Sequence, residues 1–288
     1  MADNNFSALD NDIICVHKKD ILTRYPKVTY HNHDGYEIYI FVKGDADYYV
    51  EENARALTPG DVILIPPYTF HAVDSRSSEC YERIIINIKE NYIKQFITPD
   101  CDLTDCFHRF PISRLNLLSM TSGEIKRIAA LVSELEYALD HNAFGNSLLI
   151  PALLTQILVL INKKALMSDD IPSDTNALPD IVKLSIEYIN SHFTENMHVS
   201  DLEKYVHHQK DYIVRRFKAV TGLSVQEYIL AKRLSLAKQY LAAGRSAGEV
   251  CYLCGFCNYS NFSRTFKKHL NISPKEYQKN AAKKNPVI

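Results

Sequence analysis

Two sets of side chains in this 288-residue chain have the types and spacing to do chemistry. The first is His31-x-His33 with Glu37 and the more distant His71. Imidazole nitrogens and a carboxylate are the donors that suit a divalent transition metal. The same groups, with Tyr39, also suit hydrogen bonding to a small organic ligand at the mouth of a cavity. Residues of equal parity share one face of an extended strand. His31, His33, Glu37, Tyr39 and Phe41 can therefore line one wall, with His71 arriving from another strand. The ligand reading is preferred, with no metal and no cofactor expected.

The second set occurs twice. Arg215-Arg216-Phe217-Lys218 leads through Gly222-Leu223-Ser224 to Glu227-Tyr228, and Arg264-Thr265-Phe266-Lys267 leads through Asn271-Ile272-Ser273 to Glu276-Tyr277. Phe217/Phe266, Ser224/Ser273 and Tyr228/Tyr277 share one offset of 49 residues (266 − 217). A fixed offset over several residue types marks a duplicated supersecondary unit. Each copy reads as a short apolar-spaced helix, a tight break (clearest at Gly255) and a second helix with basic and amide side chains. That second helix has the chemistry to enter a DNA major groove. Lys210, Arg216, Lys218 and Lys267 are phosphate candidates. Asp211, Val214 and Arg215, then Tyr259, Ser260, Asn261 and Arg264, are candidates for base edges, and Asn258 is a further DNA-binding candidate. Arg215 and Arg264 suit a phosphate equally well. Phe217, Phe262 and Phe266 are expected to anchor the helices to their own core.

Charge separates the two sets. Residues 176–288 hold 17 Lys and Arg against 9 Asp and Glu, about +8, while the remainder holds 16 against 25, about −9. An acidic half joined to a basic half fits a sensor joined to a polyanion binder. The N-terminus lacks a signal pattern. Leu148–Ile161 is the longest apolar run and reads as a buried helix rather than a membrane span. Seven scattered cysteines without an export signal are expected to be reduced thiols in a cytoplasm. Cys251-x2-Cys254-x2-Cys257 lacks a fourth ligand, so Cys251 and Cys254 are expected as core residues.

The elements that must hold these residues follow from pattern. Residues 1–20 read as an arm or edge strand. The runs Glu37–Val42, Tyr48–Glu51, Val62–Ile65 and Arg83–Ile88, punctuated by Gly and Pro turns, predict a sandwich or barrel. Ile125, Ile128, Leu131, Val132, Leu135 and Leu139 have the spacing of one buried helical face over Gly123–His141, with Ser122 as N-cap. Leu148–Leu166 makes a second helix and so an αα-hairpin. Ser168–Pro179 reads as a linker. A helix over 180–193 opens the basic half, and Val225–Ala242 joins the two repeated units.

The repeated string resembles the DNA-binding domain of AraC/XylS-type transcription regulators over roughly the last 105 residues. The matching residues are Arg-x-Phe-Lys and Gly-x-Ser in the first unit and Arg233-Leu234 and Ala237 in the joining helix. The second unit adds Gly255-Phe256, Ser260, Phe262-Ser263-Arg264, Phe266-Lys267 and Ser273-Pro274. The first unit departs from the pattern at Glu203, where a small Ala is usual, and at His207-His208-Gln209. His31-x-His33, Glu37, Gly44, then Gly60, Pro66 and His71, resemble the two cupin motifs, with Tyr68 and Ser75 replacing a Gly and an Asn of the second.

The resemblance implies an α+β multidomain chain: an N-terminal cupin-like β-barrel with a helical hairpin, and a C-terminal all-α domain with two helix-turn-helix units. The expected boundaries are 1–110 for the ligand-sensing barrel, 111–167 for a hairpin that dimerises, 168–179 for the linker and 180–284 for the DNA-binding domain. It implies a cytoplasmic transcription regulator, expected to be an activator. Its partners would be double-stranded DNA, a small-molecule effector such as a sugar, a second copy of the chain and RNA polymerase. The alternative is a metal-dependent cupin enzyme, or a metal sensor, fused to a DNA-binding module.

Overall fold

The computed structural model describes residues 6–7, 9, 11–20, 29–75, 80–110, 115–168 and 178–284. Its strands are β1 (Phe6–Ser7), β2 (Ile13–Asp20), β3 (Asn32–His33), β4 (Gly35–Lys43), β5 (Ala46–Val50), β6 (Asn53–Ala56), β7 (Asp61–Ile65), β8 (His71–Ser75), β9 (Tyr81–Lys89) and β10 (Leu117–Ser119). Its helices are α1 (Glu90–Ile93), α2 (Ser122–Asp140), α3 (Asn146–Met167), α4 (Asp180–His192), α5 (Val199–Val206), α6 (Lys210–Thr221), α7 (Val225–Ala242), α8 (Ala247–Leu253), α9 (Tyr259–Leu270) and α10 (Pro274–Lys284).

The chain divides into two compact units. One joins Ala8–Lys27 to His33–Ala177. It holds an antiparallel five-stranded sheet, β10-β7-β4-β9-β2, and an antiparallel three-stranded sheet, β6-β5-β8. The expected barrel thus takes the form of two sheets, with β2 as an edge strand. β4 is buried on both faces, and its alternation decides what each face does. Tyr36, Ile38 and Ile40 join a core with Ile125, Val132, Leu135, Leu154 and Ile157 of α2 and α3. Tyr39 and Phe41 face the other way and join Tyr48 and Val50 of the second sheet.

The helical hairpin therefore belongs to the sheet unit. α2 starts on Thr121 rather than the expected Ser122. Glu124 N donates to Thr121 Oγ1 at 3.3 Å and Thr121 N donates to Glu124 Oε2 at 2.7 Å. This is a capping box, and Thr121-x-x-Glu124 outcompetes Ser122 because only it returns a carboxylate to the cap. By length and composition α3 could cross a membrane. Its Leu153, Leu154, Ile157, Leu158, Ile161 and Ala165 are buried on the sheet and α2, the role of a core helix.

The other unit joins Leu178–Ile288 to Met1–Ser7 and Val28–Asn32. Tyr30 is fully buried, its N–H donates to Thr221 O at 2.9 Å and its ring meets Tyr228 edge-on at 6.5 Å. Asn32 Nδ2 donates to Ser235 Oγ at 3.0 Å. Compactness thus cuts the chain just before His33 as well as near residue 178. Most of the expected linker, residues 169–177, lies outside the described residues.

α7 is the spine of this unit. At 1.5 Å per residue its 18 residues span about 27 Å. Tyr228 and Val225 are buried at its start, and Leu234, Ala237 and Leu241 pack with Val250, Cys251, Cys254, Phe262 and Phe266 beyond. Cys251 and Cys254 are core residues, as their small apolar side chains suggest, and burial pushes the Cys254 thiol up to about 12. All seven cysteines are free thiols.

Candidate functional site

α5–α6 and α8–α9 form two helix-turn-helix units whose second helices, the candidate readers, are α6 and α9. Each reader is held from behind by aromatic packing. Phe217 meets Tyr228 at 5.4 Å and 83°, and Phe266 meets Tyr277 at 5.7 Å and 79°. The helix after each reader begins with the same capping box. Glu227 N donates to Ser224 Oγ at 3.2 Å and Ser224 N to Glu227 Oε2 at 2.7 Å. Ser273 and Glu276 repeat this at 3.2 and 2.8 Å. The 49-residue offset is thus a repeated set of contacts: one aromatic pair and one cap, used twice.

With Ile213 and Phe217 buried, a turn of 100° per residue puts Asp211, Arg215 and Lys218 on the opposite side of α6, with Val214 at its side. Lys210 and Arg216 flank them. On α9, Ser260, Arg264 and Lys267 lie opposite Phe262 and Phe266, with Tyr259 and Asn261 alongside. Lys210, Asp211, Arg215, Lys218, Ser260, Asn261, Arg264 and Lys267 are exposed, and Val214, Arg216 and Tyr259 are half-buried. Asn258 is exposed but occupied: its Oδ1 accepts from Asn261 N at 2.8 Å, which makes it the N-cap of α9.

The turns before the two readers differ. The second passes through Gly255 at φ 78, and the first through His207 at φ 57. A side chain in the left-handed region costs roughly 1–2 kcal/mol, and glycine removes that cost while loosening the unfolded chain. His207→Gly is therefore expected to stabilise the C-terminal unit by about 0.5–1 kcal/mol, read as a rise in its melting temperature. Glu203 supports this turn. Its Oε1 accepts from Lys210 N at 2.6 Å, a bridge that spacing rules do not reveal because the residues are not on one helix.

The second chemical cluster lies between the two sheets of the other unit. Glu37 on β4 is its centre. His33 Nε2 lies 3.1 Å from Glu37 Oε2, and His71 Nε2, arriving on β8, lies 3.7 Å from the same oxygen. Tyr48 on β5 donates its hydroxyl to Glu37 Oε1 at 2.8 Å. Tyr39 stacks at a tilt on Tyr48 at 4.6 Å and shares a short hydroxyl contact with Tyr81. His31 stands apart, half-buried, with Nδ1 3.4 Å from Thr29 O. His31 belongs with Val28–Asn32 to the other compact unit, whereas His33 opens the sheet unit. Tyr48 and Tyr81 were not foreseen, since cross-strand pairing, not parity along one strand, delivers them.

Electrostatics bind the cluster. Burial pushes the Glu37 carboxyl up, but His71 and His33 beside it hold it well below the usual carboxylate range. Burial lowers His71, yet Glu37 and the carbonyl of Thr69 leave it raised. His33 Nδ1 lies 2.9 Å from Gly35 O, and His71 Nδ1 2.9 Å from Thr69 O. A carbonyl only accepts, so both Nδ1 atoms carry their protons and both Nε2 atoms turn toward Glu37. An Nε2 without a proton would set lone pairs against the carboxylate. The cluster therefore calls for positive charge, as an imidazolium or as a bound cation.

Two family models match the chain. One, described as an AraC-like ligand binding domain, covers residues 21–158, and a helix-turn-helix domain covers residues 202–280. Among curated proteins, the probable transcriptional regulator LumQ of Photobacterium leiognathi is 26% identical over 255 residues, 87% of this chain and 92% of that protein. The Msm operon regulatory protein of Streptococcus mutans is 24% identical, over 85% of this chain and 84% of its own. The transcriptional activator RhaS of Escherichia coli is 21% identical, over 85% and 86%. Among solved structures, ToxT from Vibrio cholerae O395 has a TM-score of 0.34 and 16% identity, over 93% of this chain and 97% of its own. The DNA-binding domain of AdpA in complex with a target DNA has a TM-score of 0.36 and 22% identity, over 38% and 100%.

Proposed function

Since this chain belongs to the AraC family of ligand-responsive, DNA-binding transcriptional regulators, we propose that α6 and α9 read successive major grooves of one operator and that a small molecule held at the Glu37 cluster controls the reading. The observation that carries the DNA half is the duplicated reader. Two helices of opposite-face design, aromatic within and basic or amide without, hang on one 18-residue spine. A rigid spine suits groove spacing of about 34 Å. Lys210, Arg216, Lys218 and Lys267 neutralise phosphates and supply the salt-dependent affinity. Asp211, Val214, Arg215, Tyr259, Ser260, Asn261 and Arg264 meet base edges. The test is selection of bound duplexes from a random library by the full chain. A recovered pool with no preferred sequence would sink the proposal.

Arg264 gives the sharpest point of that reading. If it is bidentate to a guanine, Arg264→Ala costs about 1–3 kcal/mol and relaxes one position of the selected site. Binding measured over single-base variants of that site checks it. Loss that is uniform over all variants would make Arg264 a phosphate contact.

The effector half rests on the Glu37 cluster. Its carboxylate, the imidazoles and the hydroxyls of Tyr48, Tyr39 and Tyr81 supply hydrogen bonds and ring faces suited to a sugar. A second reading is supported by geometry: His33, Glu37 and His71 each offer one donor atom, all within 4.8 Å of one another. Rings held by carbonyl contacts at Nδ1 are what a metal site needs, so these three residues fit a divalent transition ion, which would supply the missing positive charge. Thermal shift of the full chain against a monosaccharide panel, and against zinc, nickel and ferrous ions, separates the readings. The name of one relative, the transcriptional activator RhaS, supports activation, and a cytoplasmic activator that touches RNA polymerase is the form this reading takes. Exposed Tyr137, Phe144, Leu148 and Leu166 on α2, α3 and their connection support a dimer, which sedimentation tests.

A further inference from the structure

The two junctions that lead into the readers are built differently. α9 starts on Asn258, a neutral cap. α6 starts on Gln209, whose side chain caps nothing. The first N–H of α6, on Lys210, donates instead to Glu203 Oε1 at 2.6 Å, a residue of α5 seven positions upstream. The Glu203 carbonyl also accepts from His207 N at 3.0 Å. One residue thus grips both sides of the three-residue turn His207–Gln209. Before the turn the two units are offset by 48 residues, as the caps His198 and Ser246 and the left-handed His207 and Gly255 are, so the matching place in the second unit is buried Cys251, with no carboxylate.

We infer that Glu203 is a positioning residue for DNA reading: it fixes α6 through this grip, and its charge makes the start of α6 a poorer partner for phosphate than the start of α9. This rests on the reading of α6 and α9 as DNA readers. The start of a helix carries partial positive charge that attracts anions. In a helix-turn-helix the reader's first residues meet the bases while the preceding helix crosses the backbone. A carboxylate that joins those two points lies where phosphates approach, and it already occupies the N–H they would take. The pair is therefore asymmetric, and the second unit supplies the larger share of backbone affinity.

The test uses the full chain and a labelled random-sequence duplex over a range of salt. Glu203→Gln keeps an acceptor for Lys210 N and loses the charge. It is expected to bind about two- to fivefold tighter, with a salt slope steeper by up to about one. Glu203→Ala loses the grip too and is expected to melt lower and gain less. Glu134→Gln, the same charge change at an exposed site on α2, is expected to leave binding unchanged. A Glu203→Gln chain that gains nothing, or no more than Glu134→Gln, overturns the inference. Wild-type chain that ignores the duplex at low salt overturns the DNA reading itself.

Discussion

Gly255→Ala is expected to destabilise the C-terminal unit by about 2–5 kcal/mol and to abolish selective DNA binding at physiological temperature. A Cβ at this position would stand 2.6 Å from Thr194 O and 2.8 Å from Thr194 C, both backbone atoms. The residue is also left-handed, at φ 78. The conformation alone costs roughly 1–2 kcal/mol for an L side chain, and the overlap adds about 1–3 kcal/mol. Relief by retreat of the Thr194 carbonyl is blocked. Arg233 Nε donates to Phe193 O at 2.6 Å and Arg233 Nη2 to Glu195 O at 2.7 Å, so the loop is pinned on both sides of Thr194. The strain passes to the turn that aims α9. Gly255 N donates to Tyr252 O, and Phe256 N reaches back to Cys251 O, each at 3.0 Å. Thermal melts and binding to the selected operator check this against Gly248→Ala, a position where a Cβ meets nothing within 4 Å. Equal melting of the two variants would refute it.

The same contrast shows what a sequence can and cannot reveal. Gly255 was legible as a break because glycine punctuates helices, but not its reason, which is Thr194, 61 residues upstream. The readers were legible because their side chains repeat at fixed spacing, and the strands because alternation is a local property. His33, Glu37, Tyr39 and His71 come together as parity and turn signals suggest. Tyr48 and Tyr81 escaped because strand register is set by pairing, Tyr48 opposite Val73 and Arg55, Tyr81 opposite Asp20. Thr121 and Ser122 are both good caps by residue type, and only the returning Glu124 carboxylate singles out Thr121. Nothing local to Tyr30 announces that its ring is buried beside Tyr228, far along the chain.

Glu37→Gln is expected to destabilise the N-terminal unit by about 3 kcal/mol, with a pH profile that identifies the cause. Breaking a buried charge pair costs about 3–5 kcal/mol, and the low end applies because the imidazoles can discharge. The signs run in opposite directions for the two partners. The Glu37 carboxyl is depressed in the folded chain, so its contribution is present above the unfolded carboxyl value, about 4.3, and is lost as pH falls through the folded value. His71 is raised, so its contribution is complete below the unfolded imidazole value, about 6.5, and is lost as pH rises through the folded value. Both contributions are present together only between about pH 4.5 and 6.5. The gap in melting temperature between wild type and Glu37→Gln should therefore be widest near pH 5.5 and narrow toward pH 8.5, with a chelator present to exclude metal. The isosteric amide keeps an acceptor for the Tyr48 hydroxyl, 2.8 Å away in the wild type, so lost packing cannot imitate the result. A gap that is constant across this range would mean the cluster is held by hydrogen bonds between neutral groups, and the demand for positive charge at Glu37, on which the metal reading depends, would fall with it.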